Sequence, residues 1–174
     1  MLLNFNELKQ NIYFHCAIKE FSSVDTSLNK EIRIKYCMEF FNHHNTLDYN
    51  NLLPNFLCNN IYYSEYILEE FRQKNFPSYP SRLSCLFSFA TYEIAAHLNK
   101  FYNWNSPIKE VHVDKNCKII KCDMNWITYF RKGNKMTPDL CRAYWQGIPL
   151  NNVFPDLNAE TVYEYLIEGQ LSLV

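Results

Sequence analysis

Three glycines, Gly133, Gly147 and Gly169, are all that this chain of 174 residues contains. It therefore has very few positions where the backbone can enter the left-handed region without a side-chain penalty. No two of the glycines stand close enough to build a phosphate cradle. A G-x-G-x-x-G dinucleotide fingerprint and a P-loop are both excluded, so any nucleotide site has to be made from side chains and strand edges. The matching excess is aromatic, with 13 Tyr, 13 Phe and 3 Trp. A chain of this length supports one well-buried core, and no repeat or low-complexity linker divides it, so a single domain over 1–174 is expected.

The first residues, Met1 to Glu7, offer no basic stretch followed by an apolar one. No window approaches the roughly 18–20 apolar residues that span a bilayer. Seven cysteines, at 16, 37, 58, 85, 117, 122 and 141, form an odd set without a C-x-x-C pair. That scatter reads as reduced thiols in a cytoplasmic protein, with no membrane partner and no metal site, because the ligand spacings of zinc are missing. The net charge of −1 is unevenly spread. Between 109 and 135, Lys109, Lys115, Lys118, Lys121, Arg131, Lys132 and Lys135 stand against Glu110, Asp114 and Asp123. After Gly147 there is no basic residue, only Asp156, Glu160, Glu164 and Glu168. Two solvated faces that attract one another account for this; so does a basic strip beside an acidic edge, suited to a phosphate-bearing ligand near a catalytic carboxylate.

Residues 11–16 have the character of a first, buried strand. The segment 25–41 carries both an i, i+4 stripe and a strict alternation, and its length and cap favour a helix. The Asn-rich stretch 42–60, with His43, His44 and Pro54, reads as a loop, and Ser64 as the cap of a helix ending before Pro77. Two prolines then hold an extended loop that delivers Ser81 and Arg82 into a strand, Ser84 to Phe89. Thr91 caps a helix to about Tyr102 with Ile94, Ala95, Leu98 and Phe101 on its buried face. A hairpin is expected from 108–113 and 117–122 about Asp114-Lys115-Asn116. Thr137-Pro138 starts a helix that Gly147 stops. The run 161–174 fits either a helix capped at Gly169 or a strand with a turn. The fold class is α+β.

The order of a strand with His15, then Pro-Ser-Arg-Leu-Ser (80–84) leading into Leu-Phe-Ser-Phe-Ala and a helix, then a basic pair of strands, then Tyr-Glu-Tyr-Leu-Ile-Glu-Gly (163–169), resembles the ADP-ribosyltransferase superfamily. Within it, the pattern is similar to small bacterial and phage proteins near the DarT-type toxins, over most of 11–174. The resemblance implies a split mixed β-sheet core with helices inserted between the first and second strands, and a cleft between two small sheets that binds NAD. It gives His15 the ribose on the nicotinamide side, Arg82 the pyrophosphate and Glu164 the role of late catalytic carboxylate. The sequence departs from the pattern at Val162, where arginine-modifying members carry Gln or Glu, so the likeness does not extend to arginine as acceptor. Phe87 and Phe89 stand where many members place a tyrosine.

Breaking the bond between nicotinamide and ribose develops positive charge on the sugar, as in glycoside cleavage. A carboxylate beside it, Glu164, can stabilise that charge and orient the acceptor. A guanidinium fork suits a pyrophosphate, with Ser81 and Ser84 as further donors, and Tyr92, Phe101 or Tyr102 can stack on nicotinamide. The expected function is an NAD-dependent mono-ADP-ribosyltransferase modifying a protein or nucleic acid. A toxin of a phage-defence or toxin–antitoxin pair is the expected setting, from an Asn-, Lys-, Ile- and Tyr-rich composition typical of AT-rich mobile genes. Each residue also has a purely structural reading: His15 as a core histidine, Arg82 as a loop cap or the partner of an acidic neighbour, Glu164 as part of a solvated end. The competing functions are an inactive module of the same fold that holds a protein partner such as an antitoxin or inhibitor, and a nucleic-acid binder using the 109–135 strip with Trp126, Tyr129 and Phe130.

Overall fold

A computed structural model describes residues 13–17 and 52–173. The expected helix at 25–41 and the His43-His44 pair lie outside these residues. The described strands are β1 (Tyr13–Ala17), β2 (Leu86–Ser88), β3 (Ile108–Val113), β4 (Lys118–Asp123), β5 (Tyr163–Glu168) and β6 (Leu171–Leu173). Between them run α1 (Leu52–Asn75), α2 (Tyr92–Phe101), α3 (Asn125–Arg131), α4 (Pro138–Trp145) and the short α5 (Leu150–Val153), followed by a 3₁₀ turn at Pro155–Leu157. The protein is thus α+β, with two three-stranded sheets ordered β1-β3-β6 and β2-β5-β4. The expectation of a mixed sheet is corrected: every ladder among the described residues is antiparallel.

Alternation along the strands builds three layers. Leu86, Val111, Val113, Ile119, Ile167 and Leu171, drawn from both sheets, pack together between them. On the other face of β2-β5-β4, Ile120, Cys122 and Leu166 meet Leu68 of α1, Trp126, Ile127 and Phe130 of α3, and Tyr144 and Trp145 of α4. Neighbouring residues therefore face opposite layers, Ile119 and Ile167 one way, Ile120 and Leu166 the other. Among the described residues, apolar side chains of β2, β3, β4, β5 and β6 meet between the two sheets, where the resemblance implies a cleft. Both buried indoles use their N–H: Trp126 donates to the Ile148 carbonyl at 2.7 Å and Trp145 to that of Leu68 at 3.0 Å.

Several sequence expectations change for identifiable reasons. The helix at α1 begins at Leu52, inside the expected loop, and Ser64 is a buried interior residue and not its cap. Pro54 misleads because a proline in the first turn interrupts no intrahelical hydrogen bond. The turn at Asp114 forms as read, with the Cys117 N–H donating to the Asp114 carbonyl at 3.0 Å and the Asn116 N–H to its side chain at 2.8 Å. Its two strands do not make a hairpin, however; β3 pairs with β1 and β6, and β4 with β5. Val111 and Val113 instead stack face to face against Ile119 across the inter-sheet core. The C-terminal run resolves as two strands, β5 and β6, one in each sheet. Both crossings between sheets touch: the Cys117 thiol donates to the Gln170 carbonyl at 3.2 Å. A Cβ on Gly169, whose φ is +143°, would lie 2.7 Å from the Cys117 sulfur.

Caps behaved as read. Thr91 accepts from the Ile94 N–H and Thr137 from the Leu140 N–H, with Pro138 opening α4. Gly147 has φ +69°, and a Cβ there would meet the Lys121 carbonyl oxygen at 2.6 Å, so close approach and backbone conformation both require glycine. On α2, Ala95 and Leu98 are buried, but Ile94 and Phe101, expected inside, are exposed. The aromatics of the basic strip are also reassigned: Trp126 and Phe130 are core and Tyr129 packs against them, so they are not available to stack on bases. Among the described residues no helix is long and apolar enough to cross a membrane.

Asp123, wholly buried at the end of β4, ties the layers together. Its Oδ1 accepts from the Asn125 and Val162 N–H groups at 3.0 and 3.3 Å, and Oδ2 from the Leu150 N–H at 2.9 Å. One carboxylate thus satisfies backbone donors at the starts of α3 and α5 and the approach to β5. Asp123→Ala strands these donors and is expected to lower stability by about 2–4 kcal/mol in urea denaturation.

Candidate active site

The loop that presents Arg82 is shaped from the end of α1. Arg72 grips Glu69 with Nε and Nη2 at 3.1 and 2.7 Å, and donates Nη1 to the carbonyls of Pro77 and Tyr79 at 3.3 and 3.0 Å. Phe76 stacks on Tyr79 with ring centres 4.9 Å apart. Pro77 and Pro80 supply fixed backbone angles, so the chain enters 81–85 in one conformation. There the N–H groups of Ser84 and Cys85 donate to the Ser81 carbonyl at 3.1 and 2.8 Å, closing a turn that sends Arg82 inward.

Arg82 is only 3% exposed and is surrounded by counter-charge. It donates Nε to Glu65 Oε2 at 2.7 Å and Nη2 to Glu65 Oε1 at 2.9 Å, a bidentate pair with α1. Its Nη1 donates to Glu164 Oε1 at 2.8 Å and to the Tyr144 hydroxyl. The Tyr144 O–H in turn donates to Glu164 Oε1 at 3.2 Å. The guanidinium lies 4.7 Å from the Phe87 ring centre and 5.5 Å from that of Tyr144. Arg131 of α3 reaches the same cluster from the surface, with Nη2 3.1 Å from Glu65 Oε1.

Burial works against the Arg82 charge, but Glu65, Tyr144 and Glu164 outweigh it and hold its pKa well above the ordinary value. Burial likewise drives the Tyr144 phenol well above its usual range, against the pull of Arg82, so it stays an O–H donor. The Cys122 thiol beside them is pushed up by burial and by Glu164. It remains protonated and is no nucleophile. Burial, partly offset by a backbone hydrogen bond, raises Cys141 to about 11.

The structure thus brings together two of the residues expected at the site, Arg82 and Glu164, from positions far apart in the chain. The others lie elsewhere or are engaged within the fold. Arg82, expected to meet a pyrophosphate, has its donors on two carboxylates and a phenol, which realises the alternative reading of a pairing with acidic neighbours. Ser81 and Ser84, expected as auxiliary phosphate donors, are buried on Glu168: the Ser81 N–H and Ser84 Oγ donate to Glu168 Oε2 at 2.9 and 3.0 Å. His15 is on β1, its backbone opposite Glu110 of β3, in the sheet that does not carry Glu164. Tyr92 and Tyr102, expected to stack on nicotinamide, stand at the surface at the start and just past the end of α2, 55% and 39% exposed, with Tyr102 stacked on Trp104 at 5.3 Å. Among the described residues no three His, Cys, Asp or Glu side chains gather as a metal site would need.

Sequence reasoning missed Glu65, Tyr144, Arg131 and Glu168. A signal for the first existed: Glu65, Leu68, Glu69 and Arg72 follow helical i, i+3, i+4, i+7 spacing, which puts three charges on the stripe that carries a core leucine. Tyr144 reads as a core aromatic from its helix, and only its hydroxyl partners reveal more. The acidic and basic halves of the chain do attract, at Lys118 and Glu168, 3.0 Å apart across the β4–β5 ladder.

A family model described as "Protein of unknown function (DUF2441)" matches residues 2–174. The chain belongs to this family. The match runs through both sheets, the helical layer and the Arg82–Glu164 cluster. No curated protein matches the chain.

Arg82→Ala leaves Glu65 and Glu164 without their buried counter-charge. It is expected to cost about 3–5 kcal/mol in chemical denaturation, whereas Tyr144→Phe, which removes one hydroxyl, is expected to cost about 1 kcal/mol. Burial opposes the charge on Glu168, but the Ser81 N–H, Lys118 and Ser84 prevail and keep its carboxyl below the ordinary 4.5. A depressed carboxyl contributes stability above its unfolded pKa and loses it as pH falls through the folded one. Wild-type stability is therefore expected to decline on acidification below about pH 4.5, and Glu168→Gln to flatten that decline in pH-dependent urea titrations.

Proposed function

We propose that this chain is an NAD-dependent mono-ADP-ribosyltransferase of the cytoplasm, built on an ADP-ribosyltransferase-type split sheet, with Glu164 as catalytic carboxylate and a macromolecule as acceptor. The observation that carries the reading is the meeting of Arg82 and Glu164 at 2.8 Å with both contacts to Glu164 on one oxygen. Its other oxygen, Oε2, has no hydrogen bond among the described residues. Two small sheets, with α1 between β1 and β2, support the reading at the level of the α+β class alone.

In this reading nicotinamide leaves with the electron pair of its bond to the ribose, and the acceptor forms the new bond at the same carbon while losing a proton. Arg82 and Tyr144 are positioning residues that anchor Oε1. Oε2 is then the oxygen that faces the positive charge on the sugar and steers the acceptor. Because Arg82 stays charged and Tyr144 stays protonated, the hold on Oε1 is constant across physiological pH. A toxin or effector held in check by an antitoxin or inhibitor protein is the setting this activity suits.

Purified protein incubated with labelled NAD and cell extract is expected to release nicotinamide and label a macromolecule. Glu164→Gln, which keeps the shape, should lower both by at least about a hundredfold. Absence of both activities in the wild type, or their survival in the variant, sinks the assignment.

A second reading, a non-catalytic module that holds a protein partner, is favoured by the surface of α2. Phe101 is 70% exposed there, beside exposed Tyr92, Ile94 and Tyr102, an apolar patch of the kind that marks interaction sites. An inactive wild type with a stable complex lost on Phe101→Ser would establish it.

A further inference from the structure

If the proposed ligand carries a diphosphate, some cation has to receive it, and Arg82 is spoken for. Moving it to an anion would strand two carboxylates that are themselves almost wholly enclosed, at a cost of several kcal/mol. The other cations near the helical layer are also engaged. Arg72 holds Glu69 and the 77–79 loop, Lys118 pairs with Glu168, the Lys121 ammonium sits 3.7 Å over the Tyr163 ring, and Arg142 lies over Phe71.

Arg131 differs. Its side chain is 40% exposed and its contact with Glu65 uses Nη2 alone. Nε and Nη1 make no hydrogen bond among the described residues, which leaves a guanidinium edge facing solvent. It ends α3 and is followed by Lys132 and Lys135, both exposed, with no acidic residue between Met124 and Pro138. The segment is held in place: the Gly133 N–H donates to the Phe130 carbonyl at 3.0 Å, and Asn134 Nδ2 to that of Tyr129 at 2.8 Å. Arg131 also shares Glu65 Oε1 with Arg82, so it stands at the surface end of the chain of charge that leads through Arg82 to Glu164.

We propose that Arg131, with Lys132 and Lys135, forms the diphosphate-binding edge of the Glu164 site. This inference rests on the NAD reading for the identity of the ligand, though not for the anion site itself. A guanidinium fork matches two adjacent phosphate oxygens better than an ammonium, so Arg131 carries the specificity and the lysines add charge.

Titration calorimetry with inorganic pyrophosphate, and separately with NAD, tests it on the full chain. Arg131→Gln is expected to weaken both ligands at least about tenfold, and Arg131→Lys to recover only part of the loss. The thermal midpoint of either variant should stay near that of the wild type, because the Glu65 contact removed is at the surface. Pyrophosphate binding that depends on Arg131 in a protein that does not bind NAD supports the anion site and overturns the NAD reading alone. NAD bound equally by wild type and Arg131→Gln overturns the inference alone. Failure of the wild type to bind pyrophosphate while a single-stranded oligonucleotide binds through Arg131 also overturns it, since the edge would then serve a polyanion.

Discussion

A chain of alternating charge, Arg131–Glu65–Arg82–Glu164, runs from the surface at Arg131 to the buried Arg82 and Glu164 and joins helices α1 and α3, the 81–85 turn and strand β5. Tyr144 closes it from α4. A guanidinium placed in a protein interior is tolerated only where carboxylates answer it at hydrogen-bond distance. Arg82 meets that condition with a bidentate pair on one side and a shared oxygen on the other. The elements that supply those partners cannot shift independently, because each movement would expose an unpaired charge. The helical layer is thus held in register with the sheet by electrostatics as well as by its apolar contacts.

The same constraint shapes the chemistry open to the site. A carboxylate anchored by one oxygen has a defined orientation for the other, which is the preorganisation that stabilising a developing positive charge needs. Cys122 and Tyr144 are held in their neutral forms by burial, so neither competes as a nucleophile or a general base. The proposed chemistry therefore falls to the Glu164 carboxylate, and the proposed anion site to the surface guanidinium of Arg131.

Local signals were reliable wherever local chemistry decides the outcome. Thr91, Thr137-Pro138 and Gly147 mark helix ends through hydrogen bonds and backbone angles that depend on a few adjacent residues, and all behave as their sequence suggests. The turn at Asp114 also forms. The pairing of the strands it joins was not legible, because Val111, Val113 and Ile119 are satisfied equally by a hairpin and by facing sheets. In the site, Arg82 and Glu164 stood out through the resemblance of the segments that carry them. Glu65 was marked only by sharing a helical stripe with the core Leu68, and Arg131 stands beside Lys132 with nothing in the adjacent sequence to separate it from an ordinary solvated charge.

By itself the sequence determined that no glycine-rich loop cradles a phosphate, that the chain alternates helices and short strands, and where several of those helices begin and end. These follow from the side chain and backbone freedom of single residues and their near neighbours. Only the tertiary structure decided that the described strands divide into two antiparallel sheets and that apolar side chains from both meet between them. It also decided that Arg82 faces Glu65 and Glu164 and not an open cleft. Those outcomes depend on which distant surfaces exclude water together, and a carboxylate becomes a partner only when folding carries it within about 3 Å of its cation.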